Sequence, residues 1–156
     1  MNPHSLIETV TSTGSTNGDL SARLKSGERV AEGHWLVADR QDAGRGRQGR
    51  EWFDGLGNFM GSTVVRVQDG DPFTPTLALV AGLAVYQAVL PHCPDPVPLR
   101  LKWPNDMMYA GAKLAGILLE REGDSVIVGI GVNLAAAPQD SGRETLALAK
   151  FGPAPH

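Results

Sequence analysis

A single cysteine, Cys93, is all the thiol chemistry that this chain of 156 residues offers. That excludes an internal disulfide and any cysteine-rich zinc site, and gives no sign of an oxidising compartment. A basic excess is missing too. The net charge of -3 argues against a nucleic-acid binder that works by general basicity, while leaving room for a small anion at a local arginine cluster. The opening MNPHSLIETV has neither a charged leader nor an apolar stretch behind it, and no run of 18 apolar residues follows. The expected setting is therefore the cytoplasm, with no membrane. No internal repeat and no second core are visible, so residues 1–156 are expected to form one domain.

What the sequence does have is concentrated in residues 41–52, QDAGRGRQGREW. Positions 44–50 hold three glycines and three arginines around Gln48. Glycine is costly inside a helix or strand, and guanidinium groups so close repel one another unless an anion arrives. The stretch is read as a mobile loop that waits for one.

The surrounding pattern supplies strands and helices to hold that loop. Residues 6–13 read as a strand, and 14–17 (GSTN) as a loop that can cap the helix over 17–25, where Leu20 and Leu24 are four apart and Gly27 follows. Residues 35–40 form an apolar strand into the Gly/Arg loop of 41–57, and 58–67 resume β-branched alternation. Loops of that length in compact domains are more often functional lids than idle connections. Residues 73–90, apolar nearly all round, predict a helix buried against the sheet. Beyond the proline-rich connection at 91–98, strands are expected at 99–103, 107–109, 113–120 and 125–132, with hairpin turns at 110–111 and 121–124. Residues 144–151 are one further helix candidate. Gly116, Gly129 and Gly131 fall inside strands, where glycine marks a bulge or a close approach by a ligand or another backbone.

Taken singly, each polar patch has a plain reading. Ser15-Thr16-Asn17 suits a helix cap, Lys102 and Lys113 suit solvated surface lysines, and Asp106 after Pro104-Asn105 suits a turn. Their order along one chain is more specific. A Ser-Thr-Asn loop, then GRGRQGREW, then KWPND at 102–106, KLAGIL at 113–118 and GIGVN at 129–133 together closely resemble the biotin protein ligase family, the biotin-[acetyl-CoA-carboxylase] ligases. The resemblance implies an α/β (α+β) catalytic domain with a mixed β-sheet backed by helices, of the class II synthetase-like biotin/lipoate ligase type. It further implies a two-step reaction. Biotin and MgATP give biotinyl-AMP and pyrophosphate, and a lysine of a biotin carboxyl carrier protein then takes the biotinyl group.

The residue types suit that chemistry. Biotin's carboxylate and the α-phosphate of ATP repel, so fixed positive charge is needed at both; by resemblance Lys113 and Arg47, with Arg45 near them, are the catalytic candidates. Ser15, Thr16, Asn17 and Gln41 match the family's positions for the ureido ring, Gly44 and Gly46 let backbone N–H groups approach, and Gly116 leaves room for the bicycle. Trp52 is the candidate adenine-stacking side chain. Arg50, Lys102, Asn105, Asp106 and Asn133 match positions near ATP and the adenylate, and Asp106 is the candidate to orient Mg2+. Closure of the 41–57 loop would keep water from the labile mixed anhydride.

Against many family members the chain stops early, before a C-terminal barrel, and starts without a DNA-binding segment, so the expectation is a shortened catalytic domain with no DNA role. The rival enzyme is lipoate protein ligase, which shares the fold but not the GRGRxGRxW and KWPND sequences. Two other readings stay open: a biotin- or adenylate-binding module without turnover, and an arginine-loop RNA binder. Family members often pair sheets edge to edge, and the strands at 113–120 and 125–132 are the expected edge of a homodimer.

Overall fold

Alternating apolar residues build seven strands into one mixed sheet in the computed structural model, which describes residues 7–139, 141–153 and 155. The strands are β1 (Ile7–Val10), β2 (Trp35–Ala38), β3 (Phe59–Arg66), β4 (Leu99–Lys102), β5 (Asp106–Tyr109), β6 (Ala112–Glu122) and β7 (Ser125–Val132). Their spatial order is β1-β2-β3-β7-β6-β5-β4. Only β1 and β2 run parallel, joined by the helix α1 (Thr16–Lys25); all other neighbours are antiparallel. The expected first strand is shorter than read from sequence, and residue 6 lies outside the described residues.

Register decides which side chains share a face. Ser62 stands opposite Gly129 across β3 and β7, and Gly116 opposite Gly131 across β7 and β6. Because side chains alternate along a strand, Met60, Ser62 and Val64 lie on the same face as Ile127, Gly129, Gly131, Gly116, Leu118 and Glu120. On one end of this face α1 packs, with Leu20 buried among Val30, Leu36, Val64 and Ile127. The other end carries three glycines in two adjacent strands, which leaves room above the sheet for side chains from elsewhere in the chain.

The second helix, α2 (Leu77–Val89), covers the opposite face, where Ala81 meets Ile117, Val126 and Val128. A Cβ at Gly82 would come within 2.6 Å of Leu101, so the missing side chain lets this helix approach β4 closely. The helix expected to be buried against the sheet does pack on it, along one side only: Leu79, Val80 and Leu83 on its other side are exposed. With its flanking turns the helical run extends over Thr74–His92 and is long and apolar enough on average to cross a membrane by length and composition, a test that a core helix also passes, and it contains no run of 18 apolar residues. Fusion of the helical turns at both ends with α2 makes the run that long.

Two further expectations change. Strands β6 and β7 lie inside the sheet, and its edges are β1 and β4; non-local pairing of β7 with β3 and the hairpin of β6 with β5 cover the strands expected to be free. Residues 144–151 form no α-helix. Their backbone is used in pairing instead: Lys113 N–H donates to Glu144 O at 2.9 Å, Leu146 N–H donates to Lys113 O at 2.9 Å, and only Leu148–Lys150 make a short 3-10 turn. Buried Leu146 and Leu148 fasten this segment to the core.

Candidate active site

The helix α1 begins inside the site. Ser15 is its N-cap, its hydroxyl accepting from Gly18 N–H at 3.3 Å, and this places Thr16 and Asn17 in the buried first turn. Parallel pairing continues past β1 and β2 through a Thr13–Gln41 bridge, which brings Gln41 beside that turn. Gln41 Oε1 then accepts from Thr16 N–H at 2.7 Å and from the Thr16 hydroxyl at 3.0 Å. Ser62 lies 2.6 Å from the Thr16 hydroxyl and donates to Asn17 Oδ1 at 2.5 Å, while Asn17 Nδ2 donates to Glu120 at 2.7 Å. Gly129 is what makes room: a Cβ there would collide with the Asn17 amide. Burial with nearly complete mutual hydrogen bonding makes this end of the site a rigid polar wall.

The Gly/Arg stretch is an ordered excursion rather than a shapeless one. Arg45 and Glu51 form an antiparallel bridge, Gly46 N–H donates to Arg50 O at 2.7 Å, and Trp52 N–H donates to Gly44 O at 2.9 Å. Its tip is a short 3-10 turn, Arg47–Gly49, in which Gln48 takes a φ of 60°. At Gly44 a Cβ would stand 3.1 Å from Trp52 O and 3.3 Å from the Gln41 amide, so glycine suits the tight crossing. The arginines remain on the outside: Arg47 donates to Asn105 Oδ1 at 3.3 Å, and Arg45 stands 3.9 Å from Glu120.

Between wall and loop lies the shelf of Gly116 and Gly131, and the Trp52 indole rests on it. A Cβ at Gly116 would meet the ring at 2.7 Å, and one at Gly131 would meet it closer still. Trp52 Nε1 is buried without a hydrogen-bond partner among the described residues, as is Asn133 Oδ1. Lys113 Nζ sits 5.3 Å from the indole centroid, within range of a cation–π contact, and pairs with Asp106 Oδ1 at 2.6 Å. Burial pushes the Lys113 ammonium's pKa down, opposed by its hydrogen bond and attraction to Asp106; Arg143 and Arg50 add to the lowering.

These elements enclose a cleft of about 750 Å³, open mouth included, whose lining includes Thr16, Gln41, Arg47, Trp52, Asp106 and Lys113. Ser15, Asn17, Arg45, Gly46, Arg50, Asn105 and Gly116 line it as well. A second, wider cleft opens between the Gly/Arg loop and residues 138–145, where Gly44, Arg50, Trp52, Lys113, Asn133 and Arg143 meet. Lys102 is exposed at the end of β4 and lines neither. Ser62, Glu120 and Arg143 are the site residues missed from sequence. Ser62 had a signal, being the one polar residue between Met60 and Val64 on a face otherwise filled by apolar side chains. Arg143 had none, because the segment that carries it follows no periodic pattern.

Does the cleft hold a metal? Among the described residues no three His, Cys, Asp or Glu side chains group as metal ligands. Asp106, the carboxylate that meets the cleft's buried lysine, is already shared by Lys113 and, at 3.5 Å, by Arg143. These residues do not build a magnesium site of their own.

A mixed sheet with a glycine shelf, a hydrogen-bonded polar wall and a cation cluster defines the class, and the comparisons agree. The model of the Biotin/lipoate A/B protein ligase family matches residues 9–134, and the chain belongs to that family. Over 131 residues it is 46% identical to a biotin–[acetyl-CoA-carboxylase] ligase of Paracoccus denitrificans, covering 81% of this chain and 53% of that protein. A Mycobacterium tuberculosis protein of the same name is 41% identical over 153 residues, covering 94% and 56% respectively. The chain thus spans about half the length of the curated relatives it matches. Biotin protein ligase from Aquifex aeolicus in complex with biotin and ATP superposes with a TM-score of 0.83 at 31% identity, covering 96% of this chain and 62% of that one.

Proposed function

We propose that this chain is a catalytic domain of an ATP-dependent biotin protein ligase, which makes biotinyl-AMP and passes the biotinyl group to a lysine of the biotin carboxyl carrier protein of acetyl-CoA carboxylase. The observation that carries the proposal is the pairing, in one cleft, of the Thr16–Gln41–Ser62–Asn17 wall with the glycine shelf and Lys113. The wall matches a ureido ring in donors and acceptors, the shelf offers a flat bicycle a surface once the Trp52 indole moves aside, and the cation meets a carboxylate. The names of the relatives and the ligands of the Aquifex structure support the same reading.

In the first step a biotin carboxylate oxygen attacks the α-phosphorus. The bond from that phosphorus to the bridging oxygen breaks, and pyrophosphate leaves with the electron pair. Lys113 and Arg47 oppose the repulsion between the two anions and the charge that builds at phosphorus, with Arg45 alongside. Arg50, Trp52, Asn105, Asp106 and Asn133 face the nucleotide in this reading. Lys102, exposed outside both clefts, reaches it only if the bound nucleotide extends past β5. Magnesium enters as part of the MgATP substrate. In the second step the neutral amine of the acceptor lysine attacks the acyl carbon, AMP leaves, and an amide forms with loss of the amine's proton. A cytoplasmic setting suits the substrates, and no role toward DNA or a membrane enters the reading. A homodimer built by sheet pairing would run along β1 or β4.

The test is release of pyrophosphate. Biotin with MgATP should support it in the purified chain, lipoate should not, and Lys113→Ala should lower the rate by about a hundredfold or more. Release with lipoate in preference to biotin, or an unchanged rate for Lys113→Ala, would overturn the assignment. Transfer to a carrier domain is the companion measurement for the second step.

A further inference from the structure

We infer that Arg143 binds the phosphate chain of the nucleotide and is held ready for it on Asp106; the inference rests on the adenylating function proposed above. Arg143 belongs to an irregular segment, yet that segment is fastened on both sides of the residue. Glu144 and Leu146 pair with the backbone of Lys113, and the Thr145 hydroxyl donates to Pro138 O at 2.6 Å. The backbone next to Arg143 is therefore held beside Lys113.

Its one hydrogen-bond partner among the described residues is Asp106 Oδ2, at 3.5 Å. The other oxygen of the same carboxylate holds Lys113 at 2.6 Å. One anion thus faces two cations, with Arg47 one residue away on Asn105, and the cluster has a positive surplus that a polyanion would neutralise. A guanidinium has five N–H donors in a planar fork, and the long contact to Asp106 engages little of that capacity. The side chain is 43% exposed, so the pair contributes little to folding and costs little to break. Arg143 also lines both clefts, so it stands where one opens into the other. A triphosphate running between them would pass Lys113 first and then meet the unused face of the Arg143 fork, with Asp106 giving up its contact to the incoming phosphate.

The experiment compares wild type, Arg143→Ala and Arg143→Lys by calorimetric titration with ATP, with inorganic tripolyphosphate and with biotin alone, at fixed ionic strength, alongside wild-type pyrophosphate release. Loss of a charge-assisted contact should weaken ATP and tripolyphosphate by about ten- to a hundredfold in Arg143→Ala, leave the biotin Kd within twofold, and be partly restored in Arg143→Lys. Equal ATP affinity in wild type and Arg143→Ala overturns the inference, as does a matching loss of biotin affinity, which would mean the segment merely props up the site. ATP weakened with tripolyphosphate unchanged places Arg143 on the nucleoside and overturns it too. Turnover by wild type with unchanged ATP binding in Arg143→Ala rejects this inference alone. ATP binding without turnover rejects the adenylation reading, and the variant comparison still decides the role of Arg143. No binding of ATP or tripolyphosphate to wild type rejects both.

Discussion

The wall around α1 and the Gly/Arg loop face each other across one cleft and are built on opposite principles. In the wall, Thr16, Asn17, Gln41 and Ser62 are buried and bonded to one another, over a helix anchored by fully buried Leu20. In the loop the arginines are exposed, their contacts are few and long, and no residue of the turn Arg47–Gly49 is buried. Shape recognition of a neutral ring needs donors and acceptors fixed in advance, whereas holding a phosphate needs charge that can approach it. Stability and ligand charge are therefore handled by different parts of the chain.

The comparison breaks most visibly at its anchor. Leu20→Ala should cost about 2–5 kcal/mol in denaturant unfolding, since it opens a cavity among Leu36, Val64 and Ile127. Arg50→Ala in the loop should change stability by less than about 0.5 kcal/mol. Equal losses would mean the two regions are not built differently. Gly131→Val is of intermediate effect. The added side chain must displace the Trp52 indole, so about 1–3 kcal/mol of stability and most biotin affinity should go. Trp fluorescence reports the displacement directly, and an unshifted emission would show that the indole does not rest there.

A small, pH-dependent effect sits on β1, where the strand is tied to the end of α1. Glu8 is held by Arg23 in two hydrogen bonds of 2.7 Å and by His34 at 3.2 Å, which lowers its pKa from 4.5 to about 2. A depressed carboxylate stabilises the folded state above its unfolded pKa, and the contribution disappears as pH falls from 4.5 toward 2. The pair is partly exposed, so Glu8→Gln should cost no more than about 1 kcal/mol at neutral pH. The gap between variant and wild type in urea unfolding should close by pH 2; a constant gap would exclude titration of Glu8 as its source.

Much of this was legible in the linear sequence, for reasons particular elements make plain. Strands β2, β3, β6 and β7 and the cap at Ser15 follow from alternation and cap chemistry, and most of the motif residues converge on one cleft. What escaped depends on partners far apart in sequence. That β7 is interior follows from its pairing with β3, which no local pattern encodes, whereas β6 is covered by the β5 hairpin whose turn at 110–111 is local. Residues 144–151 read as a helix candidate, but their carbonyl and amide groups found better partners at Lys113 and Asn133. Glu120 became part of the site only because β6 continues past the shelf to meet Asn17. The clash that keeps Gly129 a glycine is likewise with a side chain more than a hundred positions earlier.

The facing glycines of β6 and β7 bear on how such a site can be surveyed experimentally. Alanine scanning asks what is lost when a side chain is removed, and at Gly116, Gly129 and Gly131 there is nothing to remove. Substitution there adds a methyl group under an indole or an amide, so the scan would report an obstruction rather than a missing contact. A survey by truncation would locate the wall and the arginines while misreading the surface on which the ligand has to lie.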